Sequence, residues 1–300
     1  RRSRGEKIAD GVLLAFMILL LCFFLYPLLN MFSISLSDEY AVLRADVTFY
    51  PIGFNPQAYD LIFQSQDLWR SIGNSLFVAI VGCALSLAGL SLAAYPLAFA
   101  QFYGKKLYSF LILFTMWFQG GIIPQFLTIQ QLGLYDSLWA LIMNLLMSAY
   151  YVVIVKSYFQ SIPVSIVESA RIDGANDFRI LFQLIIPLSK PVLAVIALYY
   201  SVANWNSYFN ALVYITNEKL EPLQIVLRRV LIMNENAVNE ALMQTNSVST
   251  EQIVDKARRS YIAYTMKYSM VLISSLPMLI LYPFLQRYFV KGLLIGSLKG

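Results

Sequence analysis

Six long apolar runs, separated by shorter polar segments, set the pattern of the chain. They cover about 11–36, 71–100, 106–129, 137–159, 188–215 and 265–290. Each reaches the roughly 20 residues that a helix needs to cross the hydrocarbon core of a bilayer. The runs are continuous rather than alternating apolar with polar, which favours helices over barrel strands. The pattern therefore predicts an all-α membrane protein, one domain over 1–300 with six transmembrane helices. Gly120, Gly121 and Pro124 interrupt the far end of the third run. The first run is too long, and lacks the small-residue cleavage site, for a simple signal peptide.

Three polar segments are long enough to carry structure of their own. Residues 37–70 include FYPIGFNPQAYDLIF, whose aromatics and prolines suit an ordered loop at a membrane surface. Residues 216–264 contain LQIVLRRVLIMNENAVNEALMQ, with apolar positions near helical spacing, and read as a helical insertion of one or two amphipathic helices. The third segment, 161–187, is charged and Gly-marked, and lies between the fourth and fifth runs.

Composition agrees with the pattern. The chain is 59% hydrophobic and 13% charged, where a soluble domain is about 45–50% and about 25%. Its mean hydropathy is +0.64. With no histidine, imidazole acid–base catalysis, a Ser-His-Asp triad and histidine metal ligation are all excluded. Cys22 and Cys83 lie inside apolar runs and read as small hydrophobes, so no metal site is expected. Six spans place both termini on one side. Arg1, Arg2, Arg4, Lys7, Lys105, Lys106, Lys156, Arg171, Arg179, Lys190, Arg287, Lys291 and Lys299 fall there, thirteen bases against five acids. The other side holds nine bases and twelve acids. The positive-inside rule then makes the termini and the 161–187 segment cytoplasmic. The net charge of +5 follows from topology and calls for no nucleic acid.

Within 161–187, Pro163 precedes VSIVESARI, and proline suits a first helical turn. Asp173-Gly174 is a turn or helix-stop pair, and Asn176 or Asp177 can cap a second helix through DFRILFQLII. Pro187 and Pro191 mark the entry to the fifth run. The segment reads as two short helices at the membrane surface with charge at their tip. Composition alone equally allows a solvated charged loop.

The stretch ESARIDGANDFRILFQLIIP resembles the EAA motif of binding-protein-dependent ABC importer permeases: EAA, three residues, Gly, nine residues, then I-x-L-P. Glu168, Ser169 and Ala170 match EAA with one Ala-to-Ser departure. Gly174 stands at the required place between Asp173 and Ala175, the DGA common in the sugar branch. Leu184 to Pro187 match I-x-L-P with two conservative departures. YPLLNMFSISL, NSLFVAIVGCALSLAGLSLAAYPLAFA, NWNSYFNALVY and RYFVKGLLIGSLKG extend the resemblance to MalG-like inner-membrane subunits of carbohydrate importers over essentially the whole chain.

This resemblance implies a MetI-like permease fold in a bacterial cytoplasmic membrane. In this family the EAA helices act as coupling helices that dock into a cleft of a separate ATPase. Carried onto this chain, Glu168 would meet a basic group or helix terminus of that ATPase. Ala170 and Ala175 would allow close approach, with Ser169 small enough to fit. Asp173 and Gly174 would make the turn, and Pro187 would end the second helix. The expected partners are an ATPase dimer, a MalF-like sister permease, an extracytoplasmic solute-binding protein, the lipid bilayer and an oligosaccharide. The chain has no G-x-x-x-x-G-K-[ST] phosphate loop. It is therefore expected to bind no cofactor and to be no enzyme, with ATP and Mg²⁺ on the ATPase.

Polar groups inside spans are costly to bury and so mark candidate pathway residues. The densest set is Asn204, Trp205, Asn206, Tyr208 and Asn210 in the fifth run, with Gln119, Asn144 and Tyr151 elsewhere. Amides can pair with sugar hydroxyls and aromatic faces can stack on sugar rings. Helical spacing would put Asn204 with Tyr208 on one face and Asn206 with Asn210 on another. Hydrogen bonding between helices is the competing role for each. A secondary transporter would show intramembrane carboxylates and internal repeats, and a membrane enzyme a catalytic carboxylate pair. Neither pattern is evident in the sequence.

Overall fold

A computed structural model describes residues 4–232 and 250–297. It is all-helical, with no strand among the described residues. Among the described residues, three helices are long and apolar enough to cross a membrane alone: α1 (Arg4–Ser35), α4 (Gln66–Phe99) and the Ser260–Phe284 part of the last helix, α14 (Thr250–Ser297). Between α1 and α4 lie the short helices α2 (Glu39–Leu43) and α3 (Gln57–Gln64).

The third, fourth and fifth apolar runs are not single rods. α5 (Lys105–Trp117) and α6 (Ile122–Gln131) are bent by 118° at their break, and α7 (Leu138–Asn144) and α8 (Ala149–Gln160) by 56°. α9 (Val164–Ile172) precedes α10 (Asp177–Leu188), which meets α11 (Lys190–Trp205) at 83°. A further break at Asn206–Ser207 separates α11 from α12 (Tyr208–Tyr214). Counting each bent pair as one span gives up to six. The cause of the first break is local: Gly121 sits at φ +82° and Pro124 follows in the first turn of α6, a conformation and a residue that a continuing helix does not accommodate.

In the 216–264 segment, Glu218–Leu220 forms one 3₁₀ turn, and residues 223–232, α13, are helical. Residues 233–249 of the expected insertion lie outside the described residues. From Thr250 the chain is already in α14, so the end of the insertion and the last span are one helix.

The chain divides into two compact units. In one (1–68 and 227–276), the part of the 37–70 segment up to Leu68 is ordered and packed. Ile34, Ala41, Val42, Val47 and Tyr261 bury together. The Tyr261 hydroxyl donates to the Ser37 carbonyl at 2.7 Å and accepts from Asn55 Nδ2 at 3.1 Å. Asp38 caps α2 through the Ala41 N–H at 2.8 Å. Gly53, at φ +64°, lies so close to Asp38 that an added Cβ would meet its Oδ2 at 2.6 Å. Such an approach is open only to glycine.

The other unit (69–226 and 277–300) has two cores stacked along α4. One holds Val78 with Ile129, Ala140, Leu141, Ile142, Ala211 and Tyr214, joining α4, α6, α7 and α12. The other holds Leu90, Ala94 and Tyr95 with Val155, Phe159, Val167, Ile180, Ile185 and Ile196, joining α4, α8, α9, α10 and α11.

Candidate functional site

α9 and α10 make the two-helix hairpin expected from the Asp173-Gly174 pair. On α9, Val167 and Ala170 are buried in the core described above, while Glu168, Ser169 and Asp173 are exposed. Spacing of three places the two buried residues on one stripe, which turns the charged positions outward. Gly174 closes the helix at φ +80°. Its N–H donates to the Arg171 carbonyl at 3.0 Å and the Ala175 N–H to the Ala170 carbonyl at 2.9 Å. This pair of bonds is the Schellman closure, which needs a left-handed residue at this position. A Cβ on Gly174 would meet nothing within 4 Å, so the requirement is conformational. Ala175 is half-buried against the core. Asn176 is the cap of α10, its Oδ1 accepting from the Arg179 N–H at 2.8 Å. Leu181–Ile185 is a π-helical turn immediately before Ile186-Pro187. Pro187 is exposed in the last turn of α10. Two large apolar side chains stand out at the hairpin's tip: Ile172 is 86% and Phe178 67% exposed. Sequence reasoning passed over both, although apolar residues flanking a polar turn were the available signal.

Asp177 ties the hairpin to α4. Its Oδ1 accepts from the Tyr95 hydroxyl at 2.9 Å and from Arg171 Nη2 at 3.0 Å. The Tyr95 hydrogen bond and then the Arg171 guanidinium hold the Asp177 carboxyl below its ordinary range, and the same bond to Asp177 raises Arg171. Tyr95 is 5% exposed and neighbours Pro96 in α4. One carboxylate oxygen thus joins α9, α10 and the end of a spanning helix. Beside it, Glu168, Arg171 and Asp177 line a groove of about 440 Å³ with Phe99 and Gln101.

The expected pathway residues fall into two groups. Asn204 and Trp205 are buried, at 2% and 1% exposure. Asn204 Nδ2 donates to the Tyr200 carbonyl at 3.0 Å, while Oδ1 has no partner among the described residues. The side chain lies against Gly82, where a Cβ would come to 3.0 Å of Nδ2. The break at Asn206–Ser207 removes the common helical face expected for Asn204 with Tyr208 and for Asn206 with Asn210. Tyr208 and Asn210 are half-buried on α12.

The second group sits at the breaks themselves. Gln119 and Asn206 are exposed, and Asn144 is half-buried as the last residue of α7. Each broken run passes from one core to the other at its break: Ile112 of α5 to Ile129 of α6, Leu141 of α7 to Val155 of α8, Ile196 of α11 to Ala211 of α12. Each of the three amides therefore stands at the level where its own run crosses between the cores. Helix ends at that level leave backbone N–H and C=O groups to be satisfied. Ser148 in the α7–α8 break donates its N–H to the Tyr200 hydroxyl at 3.0 Å. Tyr151 stacks on Tyr199 (centroids 6.0 Å, 21°) and meets Tyr200 edge-on at 5.1 Å. Tyr150 and Tyr199, both more than half exposed, were not anticipated, though the paired YY at 150–151 and 199–200 was visible.

Three comparisons bear on this arrangement. The chain is 35% identical, over 98% of its length and 99% of the relative's, to the polygalacturonan/rhamnogalacturonan transport system permease protein YtcP of Bacillus subtilis. It is 38% identical, over 91% of its length and 89% of the relative's, to protein LplC of the same organism. Among solved structures it superposes with a TM-score of 0.83, at 32% identity and covering 96% of this chain and 99% of the other, on a chain of a bacterial ABC transporter involved in the import of the acidic polysaccharide alginate. The family model of the binding-protein-dependent transport system inner membrane component matches residues 3–295, and with the exposed hairpin and the broken spans in view, the chain belongs to that family of membrane-spanning permeases.

Proposed function

We propose that this chain is one of two membrane-spanning subunits of an ATP-driven importer, moving an oligosaccharide handed over by an extracytoplasmic binding protein into a bacterial cell. The observation that carries the reading is the α9–α10 hairpin. Its inner face is buried in the bundle core, its outer face presents Glu168, Ile172, Asp173 and Phe178, and Asp177 fastens it to α4. In this reading the hairpin is the coupling element for a separate ATPase dimer, which holds ATP and Mg²⁺. The sequence has no phosphate loop of its own. Closure of that dimer would move the hairpin as a body and, through Tyr95 and the shared core, carry the inner end of α4 with it. The broken spans would then rearrange between inward- and outward-open states.

The level between the two cores supports a pathway there. Non-helical backbone at membrane depth is tolerated where it faces protein or a water-filled cavity, and discontinuous helices mark substrate sites in other transporter folds. Gln119, Asn144 and Asn206 bring amides to that level, and Tyr150, Tyr151 and Tyr199 bring aromatic faces. Asn204 and Trp205, enclosed by protein, fit a packing role better than a contact role. The importers of the YtcP and alginate relatives are named for acidic polysaccharides, so an acidic oligosaccharide is the first substrate class to try. The distribution of Lys and Arg supports a cytoplasmic side for the hairpin and termini.

The test is uptake into proteoliposomes holding this chain, its sister subunit and the ATPase, with binding protein outside and ATP inside. Labelled oligogalacturonides should accumulate only with both ATP and binding protein. Accumulation driven by an ion gradient without ATP would contradict the proposal.

A further inference from the structure

We propose that the cavity between α5 and α8 is a binding site for an anionic phospholipid. It occupies about 830 Å³ and is lined by Lys105, Lys106 and Lys156, with Gln101, Ser109 and Phe110 among its walls. Three lysines from two helices line one space, and none of its lining residues is an acid. Lys105 Nζ is held in place by donating to the Ala100 carbonyl at 2.9 Å. The first turn of α5 carries no acidic residue, so the electrostatic preference at this end is for an anion. Away from the lysines the cavity continues along Phe110 and Leu113, 59% and 44% exposed, on a helix with no buried residue.

A basic mouth running into an apolar wall matches a phosphodiester headgroup with its acyl chain. Free phosphate would use the lysines and leave the wall bare. Basic pockets between membrane helices are places where anionic lipid headgroups lodge. The lysines lie where α5 begins and α8 nears its end, and α9 follows three residues after α8. The site therefore lies at the membrane face that bears the hairpin. A lipid held there would brace α5 against α8 close to the coupling element. The inference depends on the membrane placement of α5 and α8, and not on the substrate or on ATPase coupling.

The experiment uses the assembled transporter in nanodiscs of phosphatidylcholine doped with phosphatidylglycerol, with retained lipid read by native mass spectrometry. Wild type should retain phosphatidylglycerol in preference to phosphatidylcholine. Lys106→Gln with Lys156→Gln should lower that retention on the order of tenfold to thirtyfold, from the usual weight of a surface lysine on anionic lipid. Lys106→Arg with Lys156→Arg should retain it. Excess inorganic phosphate should not displace the lipid. Assembly with the ATPase, checked by co-purification, should be unchanged in both variants. Equal retention by wild type and the Gln pair would overturn the proposal. So would loss of the ATPase from the Gln pair at unchanged lipid retention, which would make the lysines a protein contact. Displacement of the lipid by oligogalacturonate would overturn it in favour of a sugar-acid site.

Discussion

Asp177 shows how a single side chain can do mechanical work. Both donors reach the same oxygen, one from the core-buried Tyr95 and one from the exposed Arg171. The three groups act as one joint between a spanning helix and the hairpin, so replacements should not be additive. In Asp177→Asn the charge is lost, and in Tyr95→Phe the donor; either should lower transport per ATP hydrolysed by a few-fold, about 1 kcal/mol of coupling. ATPase binding should persist, and the double variant should be little worse than the worse single. Additive losses, or parallel loss of ATPase binding, would show instead that the residues only help the chain fold. The sign of the pH response follows from the lowered Asp177 carboxyl. Its contribution is fully present above the ordinary aspartate value of about 4 and is lost only as pH falls through the lowered one. Coupling in wild type should therefore be flat across the neutral range. A coupling loss centred near pH 6 would implicate another group.

Helices and their interruptions divide sharply in how well the sequence discloses them. The outer spans and the hairpin were legible: α1 and α4 are long uniform apolar runs, and Asp173-Gly174-Ala175-Asn176 supplies a stop and a start side by side. The interrupted spans were not, except at Gly120-Gly121 and where Pro187 and Pro191 flank the α10–α11 bend. Asn144 to Ser148 and Asn206-Ser207 contain neither glycine nor proline, and apolar periodicity runs through them unbroken. Their breaks come from tertiary packing, where each half-helix joins a different core. Burial was equally hidden, because Asn204 and Asn206 look alike in sequence but one is enclosed against Gly82 and the other exposed. If the breaks face an aqueous path, Gln119→Cys, Asn144→Cys and Asn206→Cys in a Cys22→Ser, Cys83→Ser background should react with a water-soluble maleimide. Leu141→Cys and Val155→Cys, fully buried in the two cores, should react at least tenfold more slowly. Equal labelling across the five would remove the basis for a polar level between the cores.

At the scale of the molecule, the exposed apolar residues describe what the chain lacks when alone. Leu13, Phe23, Leu107 and Phe110 are all more than half exposed, as a membrane solvates them. Ile172 and Phe178 are exposed at the charged hairpin tip, beside Arg171, Asp173 and Asp177, where a protein partner is the better match. The central claim is that this tip is where a separate ATPase engages. The direct measurement is co-purification of the ATPase with the chain and its sister subunit from membranes, comparing wild type with Ile172→Asp and Glu168→Lys. Neither position is in the buried face of α9, so both variants should insert and pair with the sister as wild type does. Wild type should bring down the ATPase in stoichiometric amount, and each variant at least tenfold less. Full recovery of the ATPase with both variants, alongside normal uptake, would contradict the account and leave the hairpin a charged loop.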